Sequence, residues 1–315
     1  MNNNKNSDEE IPKISVGFPL YNGEEFLRTR LDSILSQTFT DFELIIEDNG
    51  STDSSVDICN EYEKKDKRIR FCRNDKNFGP VWSFQNVLYK ARAKYFIWVA
   101  ADDKFSNDFL EKNFNILEAN ENIVASTSKV EWYGPTSDIR KRYRIQSTDS
   151  IIKKIYKKIR LNFQRFGTET ITGTPDQRSV KFMRNMKTQS HWSLCRRKEV
   201  IQSWESQGPS WDLSVMMNLL QYGDFHVIDE VLMYIHTMGG QSVTSFQGYR
   251  EEAGAKLIFV FFPHGPLTLW FLKKYGTKLF LKNLDYFIWV NLRGFTTIFV
   301  SIGVEIKNRF VRKQN

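Results

Sequence analysis

Tyr95-Phe96-Ile97-Trp98-Val99-Ala100-Ala101-Asp102-Asp103 is an apolar run delivered straight into two adjacent carboxylates. A run without polar alternation suits a strand covered on both faces, as in parallel sheets flanked by helices. In open sheets of that kind, ligands settle outside the carboxyl ends of the strands, where strand order reverses and the loops leave a crevice. Asp102 and Asp103 therefore fall where a ligand is expected. The same junction recurs upstream. Leu44-Ile45-Ile46 reads as a strand and runs into Glu47-Asp48-Asn49-Gly50-Ser51-Thr52-Asp53, a polar turn that puts Asp48 just past the strand end. A parallel sheet brings both loops to one rim.

The neighbouring sequence alternates in the same way. Ile14-Ser15-Val16-Gly17-Phe18 reads as a strand, Asn22 follows as a candidate helix cap, and Leu27, Leu31, Ile34 and Leu35 recur at helical spacing. Ser51, Thr52 and Asp53 can cap a helix carrying Val56, Cys59 and Tyr62. A strand over 69–72 and a helix using Val81, Phe84, Leu88 and Ala91 lead into the run quoted first. This alternation predicts a βαβ sheet with helices on its faces. No G-x-G-x-x-G follows the first strand, which excludes a nicotinamide dehydrogenase of the dinucleotide-fingerprint type.

Residues 132–187 are polar and basic and read as a variable insertion with one helix. Ile151, Ile152, Ile155 and Ile159 form one side of that helix, and Lys153, Lys154, Lys157, Lys158 and Arg160 crowd the rest. Such a helix fits an anionic lipid surface, and equally a solvated helix packed on the core. Order returns over 191–195, followed by helices from Lys198 and over 211–222 and a strand-like 225–235.

The 315 residues carry 45 Lys and Arg against 37 Asp and Glu. Ten of the bases, but only Asp285 and Glu305 of the acids, lie between Ala253 and Asn315, so residues 1–252 hold 35 of each sign. A balanced body argues against a nucleic-acid partner, because the basic surplus sits in an apolar tail better suited to lipid. That tail, 251–315, is interrupted by Pro263, Pro266, Lys273, Lys274, Lys278, Lys282 and Arg293. No charge-free run in it reaches the ~20 residues that a span needs. Interfacial amphipathic helices are expected, peripheral on the cytoplasmic face of a membrane, with a single span as the alternative. Residues 1–12 lack an apolar signal core and read as a flexible lead. The body, 13–250, divides into 13–130 and 131–250. Cys59, Cys72 and Cys195 show no CxxC spacing and read as buried free thiols.

A nucleotide sugar presents a base, a ribose and a diphosphate. A site for it needs a carboxylate for base or ribose and a hard cation, Mg²⁺ or Mn²⁺, for the leaving phosphate, and the loops of Asp48 and Asp102-Asp103 offer both. The surrounding residues resemble the family-2 glycosyltransferases of the GT-A fold. Ile14 to Asn22 resembles their opening strand with its Pro-x-Tyr-Asn ending, and Asp48 to Asp53 resembles the nucleoside-binding turn. Asn77-x-Gly79, Asn86 and Tyr95-Phe96 continue in order, and Asp102-Asp103 falls where the family places its Asp-x-Asp metal motif. The likeness is clear over 13–128, weaker over 189–245 and absent in the tail.

The resemblance implies an α/β, GT-A (Rossmann-like), mostly parallel sheet with flanking helices, here followed by a C-terminal amphipathic helical tail. It implies a hexosyltransferase of class EC 2.4 that moves a sugar from a UDP- or GDP-linked donor to a glycan or lipid-linked acceptor. Asp48 would contact the base within a turn that includes Asn49, and Pro19, Tyr21 and Asn22 would line the nucleotide. Asp102 would serve ribose or metal, and Asp103 the metal. Ala100 departs from the pattern, standing where the family has its first motif aspartate.

Inversion at the anomeric carbon needs a general base for the acceptor hydroxyl, and Asp212 in Gly208-Pro209-Ser210-Trp211-Asp212-Leu213 is the candidate. An acid in a first helical turn is also what dipole compensation places there. His236 stands where many relatives have arginine, and reads as a diphosphate contact or as an ordinary loop histidine. His191, Trp192 and Trp211 fall on the acceptor side, with packing the other reading for Trp192. Ala100 motivates one rival, a non-catalytic GT-A-like protein that binds nucleotide or glycan without transfer.

Overall fold

In the computed structural model of the protein, which describes residues 10–100, 103–134, 146–147, 151, 154, 169–185, 188–205, 210–236 and 262–295, the apolar runs assemble into one sheet. Its first half comprises β1 (Ile14–Leu20), α1 (Glu24–Leu35), β2 (Phe42–Asp48), α2 (Ser55–Lys65), β3 (Ile69–Arg73), α3 (Pro80–Lys90) and β4 (Tyr95–Trp98). Then come β5 (Lys104–Phe105), α4 (Phe109–Ala119), β6 (Ile123–Tyr133), α5 (Pro175–Asn185), β7 (Leu194–Arg196), α6 (Arg197–Glu205), α7 (Trp211–Leu219), β8 (Asp224–His236) and α8 (Gly265–Lys282). Among the described residues eight strands run in the order β3-β2-β1-β4-β7-β6-β8-β5. β1, β2, β3 and β4 are mutually parallel where they pair, as are β6 and β8. β7 runs against β4 and β6, and β5 against β8.

The uninterrupted runs follow from two-sided burial. Leu44 and Ile46 enter one core cluster and Ile45 the other; Tyr95 and Ile97 divide from Phe96 and Trp98 in the same way. Each such side chain contributes about 1.5–3 kcal/mol relative to exposure, so neither face tolerates a polar residue without a partner. The strands extend beyond the sequence reading, β2 by two residues at each end and β1 as far as Leu20. β6 continues to Tyr133, so the stretch read as an insertion from 132 begins inside a strand.

Three local expectations are corrected. Asn22 does not cap α1: Gly23 occupies the cap position with no side-chain cap bond, while Asn22 adopts φ 48° and uses its side chain elsewhere. Val81 is exposed, and α3 buries Ser83, Val87 and Leu88 instead. Cys59 and Cys195 are buried free thiols, but Cys72 is only half-buried. In the insertion helix Ile151 is exposed, whereas Ile152, Ile155 and Ile159 lie outside the described residues.

The tail is helical. α8 is broken at Gly276 (φ 80°), and residues 284–295 form a further helix. Its inner side is part of the body: Leu267, Phe271, Tyr286, Phe287 and Val290 are buried in the cluster that holds Trp98, Trp204 and Val215. Arg184 of α5 fixes it further, its Nη2 lying 2.7 Å from Asp285 and its Nε donating to Asn283 at 2.8 Å. Among the described residues no helix is long and apolar enough to cross a membrane.

Candidate functional site

Parallel pairing carries the ends of β2, β1 and β4 to one rim. Asp48 is in register with Leu20, and the Val99 N–H donates to the Gly17 carbonyl at 2.9 Å, so the loops after these strands leave the sheet side by side. β1 lies between the outward series β2-β3 and the return series beginning with β4, which makes this the point of strand reversal.

Asp48 is fully buried, and its carboxylate oxygens accept from the Ser51 N–H at 3.3 and 3.2 Å. Arg73 Nε, at the end of β3, stands 3.7 Å from the same carboxylate. The turn beyond is laced to the loop after β1. The Asn22 N–H donates to Ser51 Oγ at 2.8 Å, and Asn22 Oδ1 accepts from the Thr52 N–H at 2.9 Å. Gly50 has φ 78°, and a Cβ there would meet the Lys76 carbonyl carbon at 2.7 Å, so only glycine fits the turn. Asp53 accepts from the Glu24 and Ser55 N–H groups; burial pushes its carboxyl up, but these bonds outweigh that and hold it below the usual range. Pro19 is partly covered and Tyr21 exposed beside this turn.

Asn49 binds the neighbouring loop. Its Nδ2 donates to Asn77 Oδ1 at 2.9 Å and to the Gly79 carbonyl at 3.1 Å, and its Oδ1 accepts from the Phe78 N–H at 3.0 Å. These contacts give Asn49, Asn77 and Gly79 a loop-shaping role. Asn86 does similar work below the rim. With Asn74 and Lys90 it donates to the fully buried Glu47 carboxylate, at 2.6, 2.9 and 2.5 Å respectively. Burial lowers the Lys90 ammonium, but the Glu47 bond outweighs it and raises it overall. Cys59 lies under this region, and burial, with the Asp48 charge adding, pushes its thiol up to about 12, which removes it as a nucleophile.

Asp103 is buried immediately before β5. β5 pairs antiparallel with β8, Lys104 opposite Tyr234 and Phe105 opposite Met233, a register that continued by one residue sets Asp103 at the level of Ile235, one residue before the β8 end at His236. The His236 ring lies 5.5 Å from Phe26 and 5.0 Å from Tyr133, and its Nδ1 is buried with no hydrogen-bond partner among the described residues. Asp102 lies outside the described residues. Among the described residues no three His, Cys, Asp or Glu side chains form a ready-made metal cluster. A buried carboxylate at a ligand rim nevertheless fits Mg²⁺ or Mn²⁺, since such ions are commonly held by one or two carboxylates with phosphate and water completing the shell.

Asp212 opens α7 next to Trp211, after Ser210 in the left-handed region at φ 56°. The Trp211 ring is 4.8 Å from Phe84, 5.0 Å from Trp204 and 6.1 Å from Trp98. Trp98 ends β4, and its indole N–H donates to the Phe84 carbonyl at 2.9 Å. This aromatic cluster ties the α7 start to the strand that leads to Asp103. His191 and Trp192 join it, the His191 ring 4.0 Å from Trp192 and 6.0 Å from Trp211, and Phe84 5.9 Å from Trp192. Trp192 and Trp211 are half-buried against the core, so packing is part of what they do.

Sequence reasoning passed over Arg73, Glu47, Phe26 and Tyr133. Arg73 and Glu47 end or nearly end strands whose neighbours had been recognised, a signal that was available. Phe26 and Tyr133 each reach His236 from a distant part of the chain, Tyr133 through the pairing of β6 with β8, and nothing local announces that.

Residues 15–185 match the family described as Glycosyl transferase family 2. An uncharacterized glycosyltransferase of Haemophilus influenzae is 37% identical over 114 residues, 36% of this chain and 46% of that one. A poly(ribitol-phosphate) beta-glucosyltransferase of Bacillus spizizenii is 34% identical over 115 residues, 36% of this chain and 18% of that one. The chain thus matches less than half the length of these curated relatives. Among solved structures, S. aureus TarS 1-349 in complex with UDP-GlcNAc has a TM-score of 0.54 at 18% identity, covering 89% of this chain and 81% of that one. Mannosyltransferase PcManGT from Pyrobaculum calidifontis in complex with GDP-Man and Mn²⁺ gives 0.52 at 14% identity, covering 95% and 76%. At such identities the likeness is one of fold.

Proposed function

The chain belongs to glycosyl transferase family 2, and from that premise we propose that it transfers a sugar from a UDP- or GDP-linked donor to a hydroxyl of a glycan or lipid-linked acceptor, with inversion. The observation that carries this reading is the meeting, at one rim, of the loops after β1, β2 and β4, with Asp48 and Asp103 buried there and Asp212 tied to the same strand end through Trp211 and Trp98.

In this reading Asp48 receives the base, and Pro19, Tyr21, Asn22 and Asn49 wall the nucleoside. Asp103, with Asp102, holds a divalent cation, which when bound offsets charge on the diphosphate. The unpartnered His236 Nδ1 faces the diphosphate oxygens from the end of β8. Asp212 takes the acceptor hydroxyl proton as that oxygen bonds to the anomeric carbon. The bond from that carbon to the diphosphate breaks, and its electron pair leaves with the nucleoside diphosphate. His191, Trp192 and Trp211 form the acceptor wall. The protein works peripherally at the cytoplasmic face of a membrane, which it meets through residues 251–315.

A panel of UDP-, GDP- and dTDP-sugars, assayed for donor hydrolysis with and without Mn²⁺, tests the reading. Turnover with one nucleotide class supports it. Tight UDP or GDP binding without turnover on any donor and acceptor would instead favour the non-catalytic binding protein that Ala100 brings to mind.

A further inference from the structure

We infer that the outward side of the C-terminal helices is the bilayer-docking surface, with an apolar groove that seats a hydrocarbon chain of an anionic phospholipid. The inference rests on the peripheral placement proposed above and names the face responsible.

Leu284, Ile288 and Leu292 recur at helical spacing along the helix 284–295, with Leu281 at the end of α8 before it, and Leu281, Ile288 and Leu292 are 59%, 55% and 60% exposed. Leu284, Ile288 and Leu292, with the exposed Phe262, line a groove of about 510 Å³ that Phe280, Phe287 and Phe295 complete on the apolar side. The polar groups in that groove are already occupied. Asn291 Nδ2 donates to Thr268 Oγ1 at 3.1 Å and to the Phe287 carbonyl at 2.9 Å, and Asn291 Oδ1 accepts from the His264 N–H at 3.1 Å. A ligand there needs no hydrogen-bonding groups, which describes a hydrocarbon chain. Single exposed leucines need no explanation, but a contiguous exposed apolar stripe marks a contact surface.

The stripe is not a loose amphipathic tail. Phe271 and Val290 of the same helices are built into the core, as is Phe287, which also lines the groove, and Arg184 clamps Asp285, so the outward residues keep their relative positions.

Charge decides the occupant. Lys273, Lys278 and Lys282 of α8 are exposed, and the one acid among residues 262–295, Asp285, is engaged by Arg184. Five of the ten bases from Ala253 onward, Lys273, Lys274, Lys278, Lys282 and Arg293, lie in this segment, against that single acid. An exposed apolar stripe in a base-rich pair of helices matches an anionic bilayer, where each basic residue near the surface contributes about 1 kcal/mol, roughly a fivefold gain in partition.

The test is flotation of the full chain with vesicles of phosphatidylcholine alone and of phosphatidylcholine with phosphatidylglycerol. The wild type is expected to float with the mixed vesicles, and less so as salt rises. Ile288→Asp/Leu292→Asp is expected to lower partition at least about tenfold, and Lys278→Glu/Lys282→Glu about twentyfold or more on mixed vesicles only. Thermal melting should be unchanged in both. If the aspartates unfold the chain, Ile288→Ser/Leu292→Ser takes their place. Wild-type flotation that both pairs leave intact would overturn this face while sparing peripheral placement. No wild-type flotation would sink both. A dimer in solution that the apolar pair converts to monomer, with no vesicle binding, would assign the stripe to a second copy and overturn the inference. Donor hydrolysis without vesicles is scored separately, so failure of the transferase reading shows up independently.

Discussion

The ring of Trp211 lies 4.8 Å from that of Phe84, a contact that ties the start of α7, which carries Asp212, to α3. Asp212→Asn keeps the helix start and its packing but cannot accept a proton. Turnover is expected to fall by about 10²- to 10⁴-fold, the usual worth of a positioned general base, with donor affinity and melting temperature near wild type. Trp211→Ala should lower both turnover and stability, the latter by roughly 2 kcal/mol for a half-buried ring. Steady-state kinetics beside thermal melts separate the two, and an Asp212→Asn enzyme of near-native turnover would remove Asp212 from the mechanism.

Asp48 offers a different signature, in binding. Its carboxylate accepts from the Ser51 N–H and faces Arg73, in a fully buried position. Asp48→Ala leaves that N–H without its acceptor, at a cost of about 1–3 kcal/mol, and should weaken UDP or GDP affinity at least tenfold by calorimetry. Arg73→Ala, at an exposed side chain, should weaken nucleotide binding with little loss of stability. Equal nucleotide affinity in Asp48→Ala and wild type would place the nucleoside elsewhere.

The strands were legible because burial on two faces forbids polar interruptions, so Leu44-Ile45-Ile46 and Tyr95 to Val99 announce both the element and the sheet type. The common rim of the loops after β1, β2 and β4 followed, since a parallel sheet leaves its carboxyl-end loops no other side. What stayed hidden depends on partners distant in sequence. Asn22 looks like a helix cap until its Oδ1 is seen to accept from Thr52, and Glu47 looks like a turn residue until Asn74, Asn86 and Lys90 surround it. The tail was legible as helices but not as part of the core. Its apolar runs are broken by lysines, yet Phe271, Phe287 and Val290 pack on the body from between them.

Metal dependence should separate Asp103 from His236. Asp103→Ala is expected to abolish transfer and to remove the bound-Mn²⁺ signal in electron paramagnetic resonance measured with nucleotide present. His236→Ala, which removes the imidazole proposed to contact the diphosphate, should retain that signal and lose about 1–3 kcal/mol of diphosphate binding. Retention of native Mn²⁺ binding by Asp103→Ala would refute its ligand role.

Acid should loosen the tail before it reaches the carboxylates. Burial, with Arg293 nearby, pushes the His264 imidazole down to about 4, and burial also lowers His226. A histidine neutral in the folded chain and near 6.5 when unfolded gives stability that is full above pH 6.5 and is lost as pH falls toward 4. For His264 the loss is roughly 2–3 kcal/mol, allowing for its partial exposure. Urea midpoints at pH 7 and 4.5 should therefore differ more for wild type than for His264→Gln. Glu43, Asp53 and Asp66, all held below the usual carboxylate range, add their losses only at lower pH. An unchanged difference in His264→Gln would show that this imidazole does not carry the dependence.

Removal of the tail tests its double role most directly. Phe271 is fully buried, and Tyr275, one turn on, donates its hydroxyl to the Met217 carbonyl of α7 at 3.4 Å, while Lys274 donates to Asn218 on the same helix. Phe271→Ala should cost about 3–5 kcal/mol, and a chain ending at residue 250 would lose all of this cover from α7. That shortened chain is expected to bind a hydrophobic dye, melt early and lose turnover, because α7 also carries Asp212. Ile288→Asp/Leu292→Asp, on the outer side of the same helices, should leave melting and solution turnover unchanged. A shortened chain as stable and active as the full one would mean that the inner side of the tail contributes nothing to α7, and that Asp212 is held by the aromatic cluster alone.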